Sequence, residues 1–228
     1  MPNIYENQTV SDWGVQMVRE RMEAEREDRT DHPWHASEVD QCGRKSIRQR
    51  QDPRPPDAKS LLMFAAGFAL QEYFLGKEAD GQVAWGIVLS ADKVVKGQVI
   101  EFKTTRKSYY RKKDDHKFDP AENASWIHRT GMYCAHHGVS KAHILVFFIF
   151  SSQLVGYTLE FTDAELKAEK ARAIKRRNFL DRHWKKGTLP PVTDRSWDGE
   201  CTYCPYLAEC AEELKAERLV VTDKEMYA

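Results

Sequence analysis

The pattern of apolar and polar positions divides the chain into separable elements. Residues 1–32 scatter Trp13, Val15, Met17, Val18 and Met22 among charges, a weak helical pattern. Ser37 reads as a helix N-cap, with Asp40 three residues on, and opens a segment carrying Cys42, Arg44, Lys45, Arg48 and Arg50. The proline-rich stretch 52–57 breaks that helix. Leu61 to Leu75 predicts a second, strongly apolar helix. Trp85 to Ala91 and Gln98 to Thr104 predict two strands joined by residues 92–97 as a hairpin. Residues 121–137 read as a helix. Ile144 to Phe150 is a continuous apolar run, which predicts a strand buried on both faces. Leu154 to Phe161 predicts its neighbour. Thr162 and Glu165 form a capping-box signature. It opens a helix to about Lys186, with Leu166, Ile174, Leu180 and Trp184 on the buried side. Gly187 ends it, and Pro190 and Pro191 prevent its resumption. This order predicts one α/β domain around a small mixed sheet.

Composition narrows the classes. A chain of 228 residues can bury a sizeable core. Its 6 Trp, 9 Tyr and 10 Phe against 12 Gly exclude low-complexity and collagen-like chains. The longest apolar runs fall well short of the ~18 residues a membrane span needs. No secretory signal is visible at the polar N-terminus. The expectation is a cytoplasmic protein with no membrane partner.

Charge changes the picture only when it is localised. Lys plus Arg is 35 and Asp plus Glu is 35, so the formal net charge is zero. That argues against a histone-like binder and leaves room for a local basic groove. Residues 103–117 hold seven basic residues, among them Arg106, Lys107, Arg111, Lys112 and Lys113, with Tyr109 and Tyr110 between them. Cations that track phosphates beside rings that stack on bases suit a single-strand groove. Residues 167–186 are also basic and read as an ordinary charged helix face.

Two constellations carry candidate chemistry. In a strand over Val99–Thr105, alternate residues share a face, so Glu101 and Lys103 project together while Ile100 and Phe102 point to the core. A carboxylate beside an ammonium suits metal-assisted phosphodiester hydrolysis. A solvated charge pair is the plainer alternative. The cysteines are the other constellation. Cys201, Cys204 and Cys210 are spaced C-x2-C-x5-C. Three thiolates at that spacing suit an iron–sulfur cluster or a zinc ion, with a fourth ligand from elsewhere. Cys134 lies mid-helix and reads as a core thiol.

Cys42 near the N-terminus, the C-terminal cysteine trio and Glu101-Phe-Lys103 between them resemble the PD-(D/E)XK nuclease superfamily. More narrowly they resemble the RecB-like, AddB-like and Cas-four-like exonucleases with a four-cysteine cluster. The resemblance covers roughly residues 35–212. It implies a restriction-endonuclease-like core, a small mixed sheet flanked by helices. It also implies a [4Fe–4S] cluster on Cys42, Cys201, Cys204 and Cys210 that staples the fold. Glu101 would ligate Mg²⁺ or Mn²⁺, and Lys103 would act on the attacking water or the transition state. The implied partner is DNA, as single strands or ends, with a larger protein complex as a further partner. Family members act in DNA repair, recombination, phage replication and CRISPR adaptation. The implied organisation is a helical segment over 1–34, a core over 35–190 and a cluster segment over 191–228, forming one compact domain.

Three positions depart from the family pattern. Gln71 stands where the family has His, Leu89 stands in the slot of the hairpin Asp, and Arg129 stands where the family has Gln. Tyr133 of that last motif is kept. Asp92 is the candidate second metal ligand, with Glu72 as another nearby carboxylate. Gln71 and Tyr133 are expected to line the site. Two rival readings follow: a nuclease fold that binds DNA without cleaving it, and a zinc-stapled domain of unrelated function.

Overall fold

The computed structural model describes residues 6, 8–24, 29–76, 81–109, 118–192, 194 and 200–215. Helix α1 (Gln8–Ala24) buries none of its residues and lies against α4. Strand β1 (Trp34–His35) leads into α2 (Ala36–Val39), α3 (Gly43–Gln51) and α4 (Ala58–Leu75). Three short strands follow, β2 (Gln82–Ala84), β3 (Ile87–Leu89) and β4 (Lys93–Val95), and then the long β5 (Gln98–Thr105). Helix α5 (Ala124–His137), strands β6 (Lys141–Phe148) and β7 (Gln153–Glu160), and helix α6 (Asp163–Lys186) complete the core. Residues 207–215 are helical. Among the described residues, no helix is long and apolar enough to cross a membrane.

The α/β class holds, but the strands form two sheets. One has the order β1-β3-β2, and the other β4-β5-β6-β7. In the larger sheet β5 and β6 run parallel and both outer pairs are antiparallel. It is a small mixed sheet flanked by helices. The expected hairpin is corrected here. The partner of β5 is Lys93–Val95, closed by Lys96 and Gly97. Both turn residues have positive φ, 50° and 72°, and a two-residue turn of that kind matches strand twist. The stretch 85–91 does not reach β5; its central Ile87–Leu89 pairs in the smaller sheet.

Other elements refine the expectation. Ser37 is not the N-cap of its helix. His35 holds that position, and Glu38 Oε2 accepts its backbone N–H at 2.8 Å. Strand β6 is not buried on both faces: its burial alternates. Ala142, Ile144, Val146 and Phe148 are fully buried. The opposite face is half-covered, with Phe147 near Phe74 of α4. Helix α6 begins at a Thr162–Glu165 capping box and ends at left-handed Gly187. The main core gathers Val39, Ile47, Ile87, Met132, Ala173 and Leu180 between α2, α3, β3, α5 and α6.

The termini of the core are tied together. Tyr206 is buried, and its hydroxyl donates to Asp52 O at 2.7 Å. Buried Arg44 donates to Pro190 O at 2.8 Å and pairs with Glu213, which also pairs with Arg48. Helix α3 therefore clamps the cysteine segment.

Candidate active site

Strand β5 builds the site because one of its edges is left open. β4 pairs only with residues 98–100, whereas β6 continues beside β5 to Thr105. Beyond Ile100, Asp92 closes the open edge: its Oδ2 accepts the Phe102 backbone N–H at 2.6 Å. Asp92 immediately precedes β4, so the hairpin itself delivers the carboxylate. The Gln71 side chain on α4 donates to Asp92 Oδ1 at 3.2 Å.

Strand parity then sets Glu101 and Lys103 on one face. Lys103 Nζ contacts Glu101 Oε2, donates to Phe102 O at 3.1 Å and lies 3.8 Å from Asp92 Oδ2. The solvated-pair alternative is thereby overturned, since Glu101 is only 1% exposed and Asp92 7%. Phe102 faces the other way and stacks on Phe74. Ile100, expected in the core, is half-buried.

The carboxylates form the floor of a cleft of about 470 Å³. α4 supplies one wall through Phe64, Phe68 and Gln71, and α5 supplies another through Trp126, Arg129 and Tyr133. Gly67 lets α4 approach β5 closely, because a Cβ there would stand 3.3 Å from Thr104 Oγ1. Glu72 is exposed on α4, and Leu89 is buried in the smaller sheet. Of the carboxylates considered, the structure brings Asp92 to Glu101.

The electrostatics follow from this crowding. Burial, and then the nearby Glu101 charge, push the Asp92 carboxyl up to about 6; Lys103 and the Phe102 amide oppose the shift. Burial disfavours the Arg129 charge, but Glu101, Tyr133, Asp40 and Asp92 outweigh it and raise its pKa. Arg129 was noted in the sequence only as a departure from the family. Its place on the cleft wall, with Nε lacking a hydrogen-bond partner, needed the fold.

Two buried carboxylates beside an ammonium suit a divalent cation. The sharper observation is that Glu101 Oε1 is buried without a hydrogen-bond partner. An unsatisfied buried carboxylate oxygen is costly, and a hard cation would satisfy it. Among the described residues, no three His, Cys, Asp or Glu side chains gather closely enough to hold a metal ion. A cation here would complete its shell with water or substrate oxygens, as Mg²⁺ commonly does.

The candidate cluster cysteines lie on two segments that touch through the backbone of Cys42 and the side chain of Glu200. Cys42 N donates to Glu200 Oε1 at 2.7 Å, next to Cys201, and Gly43 N donates to Asp194 Oδ2 at 2.8 Å. These carboxylates meet the N-terminus of α3, where negative charge is favoured. Cys204 feels Cys201 and Cys210 and lies near Lys45. Burial pushes the Cys42 thiol up to about 11, and burial also raises Cys204. The donor set fits a cluster in kind, and a cluster spaces its thiolates more widely than a single ion. Cys134 is fully buried in α5, with its thiol pushed up to about 12 by burial.

Of the expected basic groove, Arg106, Lys107 and Tyr109 are among the described residues. The Tyr109 ring packs against Phe148 at 5.4 Å, so it serves the core. Lys107 lies over the Phe118 ring at 5.7 Å, and Arg106 is partly buried at the end of β5. Tyr110, Arg111, Lys112 and Lys113 fall outside the described residues. On α6, Arg172 pairs with Asp40 and Glu169, and Arg176 with Asp194.

No family model matches the chain, and no curated protein matches its sequence significantly. A solved structure shares its fold. The crystal structure of SSO0001 is similar, with TM-score 0.54 and 12% identity, over 86% of this chain and 93% of that chain. At such identity the likeness concerns the fold alone, and it spans most of both chains. An alkaline exonuclease (LHK-Exo) from Laribacter hongkongensis has TM-score 0.39 and 12% identity, over 68% of this chain and 90% of that chain. That second overlap is too loose to carry an argument.

Proposed function

We propose that this chain is a divalent-metal-dependent DNA nuclease, working as an exonuclease on single strands or ends. The observation that carries this reading is the pairing of Asp92 and Glu101, both buried, around Lys103 at the floor of an open cleft. It supports an active centre over a binding-only relative, because Asp92 supplies the second carboxylate missing at Leu89.

Asp92 and Glu101 would hold Mg²⁺ or Mn²⁺, which when bound would polarise the scissile phosphodiester and the attacking water. Gln71 holds the Asp92 carboxylate in place. Lys103, steered by Glu101 and by Phe102 O, positions the water and offsets negative charge that develops on the phosphate. Arg129 adds a second cation on the wall, and Tyr133 lines it. Arg106 and Lys107, which follow β5 directly, would contact phosphates of the bound strand. Cys42, Cys201, Cys204 and Cys210 would hold a [4Fe–4S] cluster that staples α3 to the C-terminal segment. The finer RecB-like, AddB-like and Cas-four-like resemblance belongs to this proposal.

The test is an end-labelled single strand with Mn²⁺, comparing wild type with Glu101→Ala. Loss of digestion in the variant with an unchanged circular dichroism spectrum is expected. Equal digestion by both would identify a contaminant and defeat the proposal.

A further inference from the structure

Helix α4 is strongly apolar, yet among its residues only Leu61 is buried. Phe64 and Phe68 are 53% and 58% exposed and both line the cleft. With Gln71 they fall at i, i+4 and i+7, one stripe of the helix. The end of that stripe holds Asp92. Two exposed rings therefore stand on the wall above the carboxylates, while Tyr109, the ring expected to stack on bases, is occupied by Phe148.

We propose that Phe64 and Phe68 form a stacking platform for unpaired nucleobases, making the cleft selective for single-stranded DNA. The inference rests on the nuclease reading for the adjacent floor. Base–aromatic stacking is sequence-tolerant, because every base has a π-face. The occupant is set by what surrounds the rings. Lys103 and Arg129 in the same cleft suit phosphates, and the rings suit the bases attached to them. Depth adds a second argument. Glu101 is 1% exposed, so a scissile phosphate must descend past the rim. An unpaired strand can do that with its bases turned onto α4, whereas bases paired in a duplex are not free to stack there.

The experiment measures binding by fluorescence anisotropy in EDTA, where no cleavage occurs. The probes are a dye-labelled single strand, the same strand with abasic positions, and a duplex. Wild type should prefer the intact single strand. Phe68→Ala should weaken that binding on the order of tenfold, and the double variant with Phe64→Ala further, with abasic binding unchanged. Phe68→Leu keeps apolar volume without a π-face and should behave like Phe68→Ala. Both rings are exposed, so the melting temperature should hold.

Equal affinity for intact and abasic strands, wild-type affinity in the Phe variants, or no strand binding at all would overturn the platform. So would variants that change only the elution volume, which would assign the rings to a second copy of the chain. The two readings fail separately. Ring-dependent binding without Glu101-dependent cleavage would sink hydrolysis and leave the platform standing. Glu101-dependent cleavage with ring-independent binding would do the reverse.

Discussion

The Asp92 carboxylate accepts the backbone N–H of Phe102 at 2.6 Å. This one bond closes the edge of β5 where β4 stops, and it places Asp92 beside Glu101 across the tip of Lys103. The site is thus a by-product of a hairpin too short to cover its partner strand.

Asp92 should destabilise the metal-free protein at neutral pH. Its carboxyl sits at about 6 against an ordinary 3.8, because of burial and then Glu101. A raised folded-state pKa means that the folded protein holds the proton more tightly. The resulting stability is full below about pH 4 and is lost as pH rises through 6. A shift of about two units corresponds to roughly 3 kcal/mol. Asp92→Asn in EDTA should therefore be about 1–3 kcal/mol more stable than wild type at pH 8 and equal to it near pH 4. Mn²⁺ should raise the Tm of wild type but not of the variant. Melts at pH 4, 6 and 8 check this; a gap independent of pH would contradict it.

Arg129 would compete with a bound cation for the carboxylates that raise its own pKa. Arg129→Gln removes that positive charge, so Mn²⁺ should bind severalfold more tightly. The metal-free variant should lose stability at pH 8, because Arg129 also restrains the Asp92 shift. Calorimetric titration reads the affinity, and an unchanged Kd would refute the competition.

Cys204→Ala should abolish the broad visible absorbance of the proposed cluster together with thermal stability. Closing a loop of about 160 residues is worth on the order of 4–5 kcal/mol in the cross-link model. Cys134→Ala, which alters the core thiol, should keep the absorbance. The raised pKa values of Cys42 and Cys204 mean that loading must displace protons, so reconstitution should improve as pH rises from 6 to 8. An unchanged melting curve in Cys204→Ala would discard the staple.

Arg50 anchors the start of the core. Its guanidinium forks onto Glu38 at 2.8 and 2.7 Å and lies 3.8 Å over the Trp34 ring. Arg50→Met leaves the Glu38 carboxylate buried without its counter-ion, with the His35 N–H still donating to it, and should cost about 3–5 kcal/mol. Adding Glu38→Leu should recover most of it, and Arg50→Lys only part, since an ammonium cannot fork. Urea melts of the three variants measure this. Additive losses in the double variant would show that the pair is not the cause.

Much of this was legible in the chain. Thr162, Glu165 and Gly187 mark α6 through bonds spanning a few residues, and the structure keeps both ends. The shared face of Glu101 and Lys103 follows from a period of two. The hairpin was legible only in part: Asp92–Gly97 contains the turn, but the partner of β5 starts inside that stretch. Pattern alone could not distinguish which of several short apolar runs lies beside β5. Leu89 occupied the expected carboxylate slot and Asp92 was a candidate only as a nearby carboxylate; that it reaches the open edge of β5 beside Glu101 needed the fold.

The sequence by itself determined what depends on near neighbours: helix limits, strand parity, the Lys96–Gly97 turn and the chemical identity of the candidate ligands. The tertiary structure decided which of those groups meet. Glu101 became a buried carboxylate because α5 packs on its face of β5, with Arg129 and Cys134 near it. Asp92 joined it because a free strand edge needs an acceptor. Cys42 came to Glu200, 158 residues away, because α3 packs on the C-terminal segment. Such meetings are set by edges left unpaired and by charges that must be satisfied once buried, and neither exists until the chain has folded.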